Sequence, residues 1–269
     1  MRGKMGMISN DCKEYILPRT LIKPTLAAMI TPATDEQMDD SIDGRTVDTE
    51  AWRRRVGSFI RDHAPLRPPP LCPEISLHLA DDMAGAWAAA EAALAATRVP
   101  PPFWSVAWVG GQALARYLLD HPDRVAGRHL VDVGSGSGLV AIAAAMAGAG
   151  SVTACDLDPL ARVAIAMNAA TNHATVEIDP ADPLTTTAMD ADIVVAGDLW
   201  YERQIAEKIT PWLRRQAAAG RTVLVGDKRR AFFPRSGLEP LADYAVPTSQ
   251  DLESEALTTA GVWRLESGF

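Results

Sequence analysis

The chain has 269 residues, 48% of them hydrophobic and 22% charged, and a formal net charge of −8. This is the balance of a soluble globular protein with one α/β domain and an extension, and its acidity argues against a duplex nucleic acid partner, which selects for a basic face. Cys12, Cys72 and Cys155 are widely spaced, with no CxxC pair, which argues against a disulfide framework or zinc site and fits a reducing compartment; no apolar run approaches the roughly 18 residues of a membrane span.

Residues 1–45 lack hydrophobic periodicity and end in the acidic patch Asp35–Asp43, so a poorly ordered arm is expected. Arg2, Lys4, Lys13, Arg19 and Lys23 would suit an organelle-targeting segment. Asp11 and Glu14 interrupt that pattern and favour a flexible extension. Residues 46–122 read as a helical and gateway region. Thr46–His63 is predicted helical, with Trp52, Val56, Phe59 and Ile60 on one face. Arg67-Pro-Pro-Pro70 and Pro73 break the chain into an extended connector. Pro73–Leu79 is a candidate short strand, and the Ala-rich Met83–Thr97 a helix. Pro100-Pro-Pro-Phe-Trp104 forces an extended gateway, followed by an amphipathic helix over Gly110–Asp120.

From residue 123 onward the pattern becomes strand, loop, helix, repeated. Strands are predicted at His129–Val133, Val152–Asp156, Thr175–Asp179, Ile193–Gly197 and Thr222–Gly226, with helices at Gly138–Ala147, Leu160–Asn172 and Glu202–Ala218. Continuous apolar strands alternating with helices imply a parallel sheet covered on both faces. Asp243–Val246 and Gly261–Glu266 are expected to pair as a closing hairpin. The fold class is therefore α/β and Rossmann-like.

The first of these strands runs into Asp132-Val-Gly-Ser-Gly-Ser-Gly138. Gly134, Gly136 and Gly138 let a ligand approach the main chain, with Ser135 between them, and the helix that follows aims its N–H groups at that ligand. A dinucleotide loop usually has a third glycine three residues after the second, where this chain has Leu139. Asp132 can organise the turn or meet a ligand ammonium. Both features favour S-adenosylmethionine over NAD. Asp156, at the end of the second strand, is placed to accept both ribose hydroxyls. Asp158 reads as a helix N-cap before Pro159. Asp179 ends the third strand, where it either receives the adenine amino group or simply turns the chain before Pro180; Asp182 is a weaker substitute. Gly197-Asp-Leu-Trp-Tyr201 ends the fourth strand beside the methyl donor. Asp198 would hold an incoming lysine ammonium there, and Tyr201 would shape an aromatic slot around it.

Phe103-Trp-Ser-Val-Ala-Trp108 and its continuation to Pro122, Leu130–Gly138, Asp156-Leu-Asp-Pro159, Gly197–Glu202, Leu224-Val-Gly-Asp227 and Leu257–Trp263 together resemble the electron transfer flavoprotein β-subunit lysine methyltransferases. Asp198 and Tyr201 match the D-x-x-Y signature of the wider seven-strand protein lysine methyltransferases. The resemblance implies a seven-strand class I methyltransferase sheet over about residues 123–269. It also implies S-adenosylmethionine as donor, with S-adenosylhomocysteine as product, and lysines of the flavoprotein β subunit as acceptors; no metal is expected. Trp108 is implied to border the cofactor pocket, beside Asp132, Gly134, Ser135, Gly136, Gly138, Asp156, Asp179 and Gly197, which the glycine loop and the strand ends already place there. The chain departs from the family at Trp108-Val-Gly-Gly111 for W-P-G-G, and at Gly226-Asp-Lys-Arg-Arg230 for G-D-P-G-R. Other acceptors, a ribosomal protein of the L11 or L7/L12 type or a small molecule, stay open, as does an NAD oxidoreductase or a non-catalytic nucleotide-binding module on the same fold. A cytoplasmic monomer is expected for a bacterial source, or a mitochondrial matrix protein for a eukaryotic one.

Overall fold

The computed structural model describes residues 50–94, 99–248 and 257–267. The arm expected over 1–45, the first turn of the helix expected from Thr46 and the end of the helix expected to Thr97 lie outside the described residues.

Helix α1 spans Glu50–His63 and buries Val56, Phe59 and Ile60. Each of these contributes roughly 1.5–3 kcal/mol by leaving water. The Pro-rich stretch behind it forms a two-residue strand β1 (Leu66–Arg67), antiparallel to β2 (Leu77–His78). The expected strand over Pro73–Leu79 is reduced to two residues, because the Ile75 N–H closes a turn on the Cys72 carbonyl and the Ser76 N–H and carbonyl are both taken by the Asn172 side chain. Helix α2 follows at Met83–Leu94. The gateway is not extended throughout: Phe103–Ser105 closes a 3₁₀ turn, with the Ser105 Oγ and N–H both donating to the Pro102 carbonyl. Helix α3 then runs Val109–Asp120.

The core sheet contains β3 (His129–Val133), β4 (Ser151–Cys155), β5 (Glu177–Asp179), β6 (Ile193–Gly197), β7 (Thr222–Asp227), β8 (Leu238–Pro247) and β9 (Leu257–Leu265). They lie in the order β5-β4-β3-β6-β7-β9-β8. The first five pair in parallel, while β9 is antiparallel to both β7 and β8. The tail therefore forms the expected hairpin, but its second strand enters the sheet next to β7 and leaves β8 at the edge. Between β3 and β6 the winding reverses, the switch point at whose carboxyl end open α/β sheets take their ligands.

Helices α4 (Leu139–Met146), α5 (Pro159–Thr171) and α6 (Arg203–Ala218) connect the parallel strands. Strand periodicity assigns the two faces. Ile193 and Val195 of β6 join the core formed with α3 and α4. Val194 and Ala196 join the opposite core, around Trp212 of α6 and Trp263 of β9. A third core sets α1 and α2 against Leu160, Ala161 and Ala164 of α5. Asn168 of α5 is fully buried and links two regions. Its Oδ1 accepts from the His78 N–H at 2.8 Å, and its Nδ2 donates to the Ser137 carbonyl at 2.8 Å. Asn172, one turn on, bonds both the N–H and the carbonyl of Ser76. The β1–β2 segment is thereby tied to the helix that supports the glycine loop.

Candidate active site

The glycine loop leaves β3 and turns sharply into α4. Gly134 and Gly136 have φ of +67° and +57°, the left-handed region that glycine enters without a Cβ penalty. The Gly134 and Ser135 N–H groups both donate to the Cys155 carbonyl, which fixes the loop against the end of β4. A Cβ on Gly134 would stand 2.6 Å from Leu199, so the loop after β3 and the loop after β6 are in close apposition.

Asp132 lies beneath this turn and is buried. Its Oδ2 accepts from the Ser135 hydroxyl at 2.6 Å and from the Ala141 N–H at 3.2 Å. Of its two expected roles, the structure places it in the first, organising the loop. Burial pushes its carboxyl up to about 7, against the lowering effect of those two bonds.

Asp156 sits just beyond β4, facing the loop. Its Oδ2 accepts from the Gly136 N–H at 2.8 Å and its Oδ1 from the Asp158 N–H at 2.9 Å. Burial raises its carboxyl above the ordinary range. Each oxygen keeps a lone pair, so the carboxylate can still accept two hydroxyl protons. Asp158 caps α5, accepting from the Leu160 N–H at 2.8 Å, as its position before Pro159 implied. Asp179 ends β5 and accepts from the Ala181 N–H at 2.9 Å, the bond of a turn residue. Asp182 caps the short turn at Pro183–Thr185. Neither Asp179 nor Asp182 is drawn into the cluster around Asp156.

The loop after β6 supplies the other half of the site. Asp198 adopts φ +58°, uncommon outside glycine and best tolerated by Asp and Asn. Its N–H donates to the Gly226 carbonyl at 2.9 Å, and its side chain is 7% exposed. Each carboxylate oxygen is held by one bond and keeps a lone pair: Oδ2 accepts from the Gly111 N–H at 2.6 Å, and Oδ1 from Nη1 of Arg230. The Gly111 contact completes the start of α3. The N-cap residue is Trp108, whose side chain cannot accept from the first-turn N–H groups, and Asp198 does so from another element.

Two glycine pairs make that contact possible. A Cβ on Gly110 would lie 2.4 Å from the Gly226 carbonyl oxygen, and one on Gly197 would lie 3.1 Å from the Gly111 Cα. Helix α3 thus rests end-on against β6 and β7. Arg230 in turn is held by Asp227: its backbone N–H donates to Oδ1 at 2.7 Å and its Nη1 to Oδ2 at 3.1 Å. Asp227 is completely buried, and burial pushes its carboxyl up to about 6 despite the Arg230 guanidinium beside it.

Above the Asp198–Arg230 pair the side chains turn aromatic. Trp108 donates its indole N–H to the Phe103 carbonyl at 2.9 Å, and its ring meets Phe103 edge-on at 6.1 Å. Phe103 lies 5.5 Å from Tyr201, and the Arg230 guanidinium 6.0 Å from the Trp108 ring centre. Phe103 and Tyr201 are 39% and 46% exposed, so the two rings present one apolar surface to solvent. Partial burial raises the Tyr201 phenol to about 12, with the charges of Glu202 and Asp156 adding to the effect, so it stays protonated. Trp200, by contrast, is buried in the core and bonded to Thr210.

The expected residues Trp108, Gly197, Asp198 and Tyr201 therefore converge on one side of the switch point. Asp132, Gly134, Ser135, Gly136, Gly138 and Asp156 converge on the other. Arg230, Asp227, Asn168 and Phe103 were not among the expected site residues. Arg230 carried one usable signal, its place in the motif that departs from G-D-P-G-R. Among the described residues no group of three or more His, Cys, Asp or Glu is placed to hold a metal.

The sequence model of the ribosomal protein L11 methyltransferase (PrmA) family matches residues 113–222. The electron transfer flavoprotein beta subunit lysine methyltransferase of Rattus norvegicus is 38% identical over 172 residues, 60% of this chain and 66% of the rat protein, so that match spans just under two thirds of the relative. In solved structures, the ribosomal protein L11 methylase of Lactobacillus delbrueckii subsp. bulgaricus aligns at 21% identity with a TM-score of 0.43, over 58% of this chain and 78% of that one. The Xenopus laevis relative is 35% identical over 226 residues, covering 78% of this chain and 86% of the frog protein. With identity at that level across most of both sequences, this chain belongs to the electron transfer flavoprotein beta subunit lysine methyltransferase family.

Proposed function

We propose that the chain is an S-adenosylmethionine-dependent protein-lysine N-methyltransferase acting on lysines of the electron transfer flavoprotein β subunit. The observation that carries this reading is the placement, at the carboxyl ends of neighbouring strands β3 and β6, of a glycine loop bonded to Asp156 and of the Asp198–Arg230 pair with the Trp108 ring beside it. The glycine loop fits a nucleoside donor: a Cβ on Gly136 would meet nothing nearer than the Cα of Trp104 at 3.8 Å, so the loop's outer side has room for a ligand. Asp156 would take the ribose hydroxyls. When bound, S-adenosylmethionine supplies an electrophilic methyl group, which the amine lone pair takes as the carbon–sulfur bond breaks to leave the neutral thioether.

The protein's own residues have three tasks. Phe103, Trp108 and Tyr201 enclose the aliphatic stem of the lysine and exclude water from the reacting nitrogen. Asp198 orients that nitrogen, and alignment of this kind accounts for several kcal/mol in such reactions. Lysine begins with a pKa of about 10.4 and must lose a proton, which partial burial among the three rings favours. The proton leaves to solvent past the half-exposed Tyr201 ring before the slot closes and excludes water.

The L11 methyltransferase of an Exiguobacterium strain is 40% identical over 90 residues but covers only 33% of this chain. A ribosomal protein acceptor is therefore the second reading. Asp198→Ala tests the assignment. Methyl transfer to the flavoprotein subunit should vanish while S-adenosylhomocysteine affinity by calorimetry changes little. Equal loss of both would remove Asp198 from the acceptor side. A thermal shift with NAD but none with S-adenosylhomocysteine would overturn the donor assignment.

A further inference from the structure

An anionic residue that holds an ammonium also keeps it protonated, and a protonated amine has no lone pair to methylate. Asp198 alone would therefore oppose the reaction it positions. The structure answers this with a second charge. Arg230 places one nitrogen, Nη1, on both Asp198 Oδ1 and Asp227 Oδ2, with side-chain exposures of 11%, 7% and 0% for the three groups. Its backbone N–H is anchored on the other oxygen of Asp227.

We propose that Arg230, held by Asp227, is a positioning residue that fixes Asp198 and cancels its charge, so that the acceptor amine is held without being kept protonated. This rests on the lysine acceptor proposed above. Two carboxylates and one guanidinium leave the cluster with a single net negative charge when all are ionised. That attracts one ammonium yet stabilises it less than two unshielded carboxylates would.

The other charged groups on the elements packed against the cluster are engaged elsewhere or stand apart. Arg116 of α3 pairs with Glu74 and Asp120. Arg264 of β9 pairs with Glu239. Arg229 lies over the Trp263 ring, and Glu202 acts on the Tyr201 phenol. Asp243 of β8 is separated from Asp227 by the register position of Gly261. Lys228 adjoins Asp227 in sequence, and the α3 N-terminus adds a partial positive charge at Gly111.

The test uses charge changes of opposite sign. Arg230→Gln removes the cation and should move the acidic limb of the kcat–pH profile up by about one unit. Asp227→Asn removes an anion and should move it down by about half a unit. Affinity for the flavoprotein β subunit, measured with S-adenosylhomocysteine bound so that no transfer occurs, should rise severalfold in the first variant and fall in the second. If Arg230→Gln does not fold, Asp227→Asn carries the test alone. Limbs that coincide with that of the unaltered protein, or that move in the same direction, would overturn the proposal. Absence of any transfer to lysine by the unaltered protein would instead overturn the parent reading, and this inference with it.

Discussion

Gly110→Ala probes the junction on which the acceptor half of the site is built. The new Cβ would stand 2.4 Å from the Gly226 carbonyl oxygen and 2.8 Å from Asp198 Oδ2. The first of these is backbone of a central strand and cannot swing aside. Restoring an ordinary contact needs a retreat of α3 by about 1 Å. Forced overpacking of this kind costs about 1–3 kcal/mol. The retreat also strains the 2.6 Å bond from the Gly111 N–H to a buried carboxylate, worth about 1.5–3 kcal/mol. Exchange of glycine for alanine in a helix returns about 1 kcal/mol at most. The net loss is about 3 kcal/mol, or about 6–12 °C in the melting temperature of a domain this size.

Gly111→Ala is the control. Its Cβ would meet Asp198 Oδ2 at 3.8 Å, an ordinary contact, so it should be neutral or slightly stabilising. Thermal unfolding of the two variants side by side measures the difference. A Gly110→Ala protein as stable as the unaltered one, or equal losses in both, would refute the packing argument.

Other perturbations reach the remaining parts of the site. Asn168→Ala strands the His78 N–H and the Ser137 carbonyl in the core; unfolding should show a loss of about 2–4 kcal/mol, with weaker S-adenosylhomocysteine binding, and an unchanged affinity would separate Asn168 from the loop. Gly136→Arg should fold but lose S-adenosylhomocysteine binding, because the side chain projects into the space over the loop; normal titration by calorimetry would contradict the pocket. The ligand-free protein should become less stable as pH rises. Asp132 and Asp158 are pushed up to about 7 and Asp227 to about 6, from an ordinary 3.8. The folded state therefore binds more protons than the unfolded chain, and the stability they contribute is lost as pH climbs through 6 to 7. Glu74, lowered by Arg116, acts in the opposite sense only near and below its ordinary 4.5. Melting temperatures that increase between pH 5.5 and 8 would show the sign to be wrong.

The sheet was legible because its central strands are buried on both faces and read as unbroken apolar runs, so β3 and β6 match their expected bounds. Asp158 was legible because a cap followed by proline is a local signal. Asp156 and Asp198 were legible as the residues that follow a strand's carboxyl end. What holds them was not. The Gly111–Asp198 bond joins residues 87 apart in sequence, and the His78–Asn168 bond residues 90 apart. Arg230 stands where the family motif has its final arginine and Arg229 where it has glycine, but nothing in the sequence says that the first pairs with two buried carboxylates and the second lies over Trp263. The order of the last two strands was hidden for the same reason: a hairpin pattern does not say which of its strands meets β7.

The most direct test of the account is mass spectrometry of purified electron transfer flavoprotein β subunit after incubation with this protein and S-adenosylmethionine. Lysine residues should gain mass in methyl increments, and an Asp198→Ala preparation that still binds S-adenosylhomocysteine should add none. An unmodified subunit, or modification that persists without the Asp198 carboxylate, would contradict it.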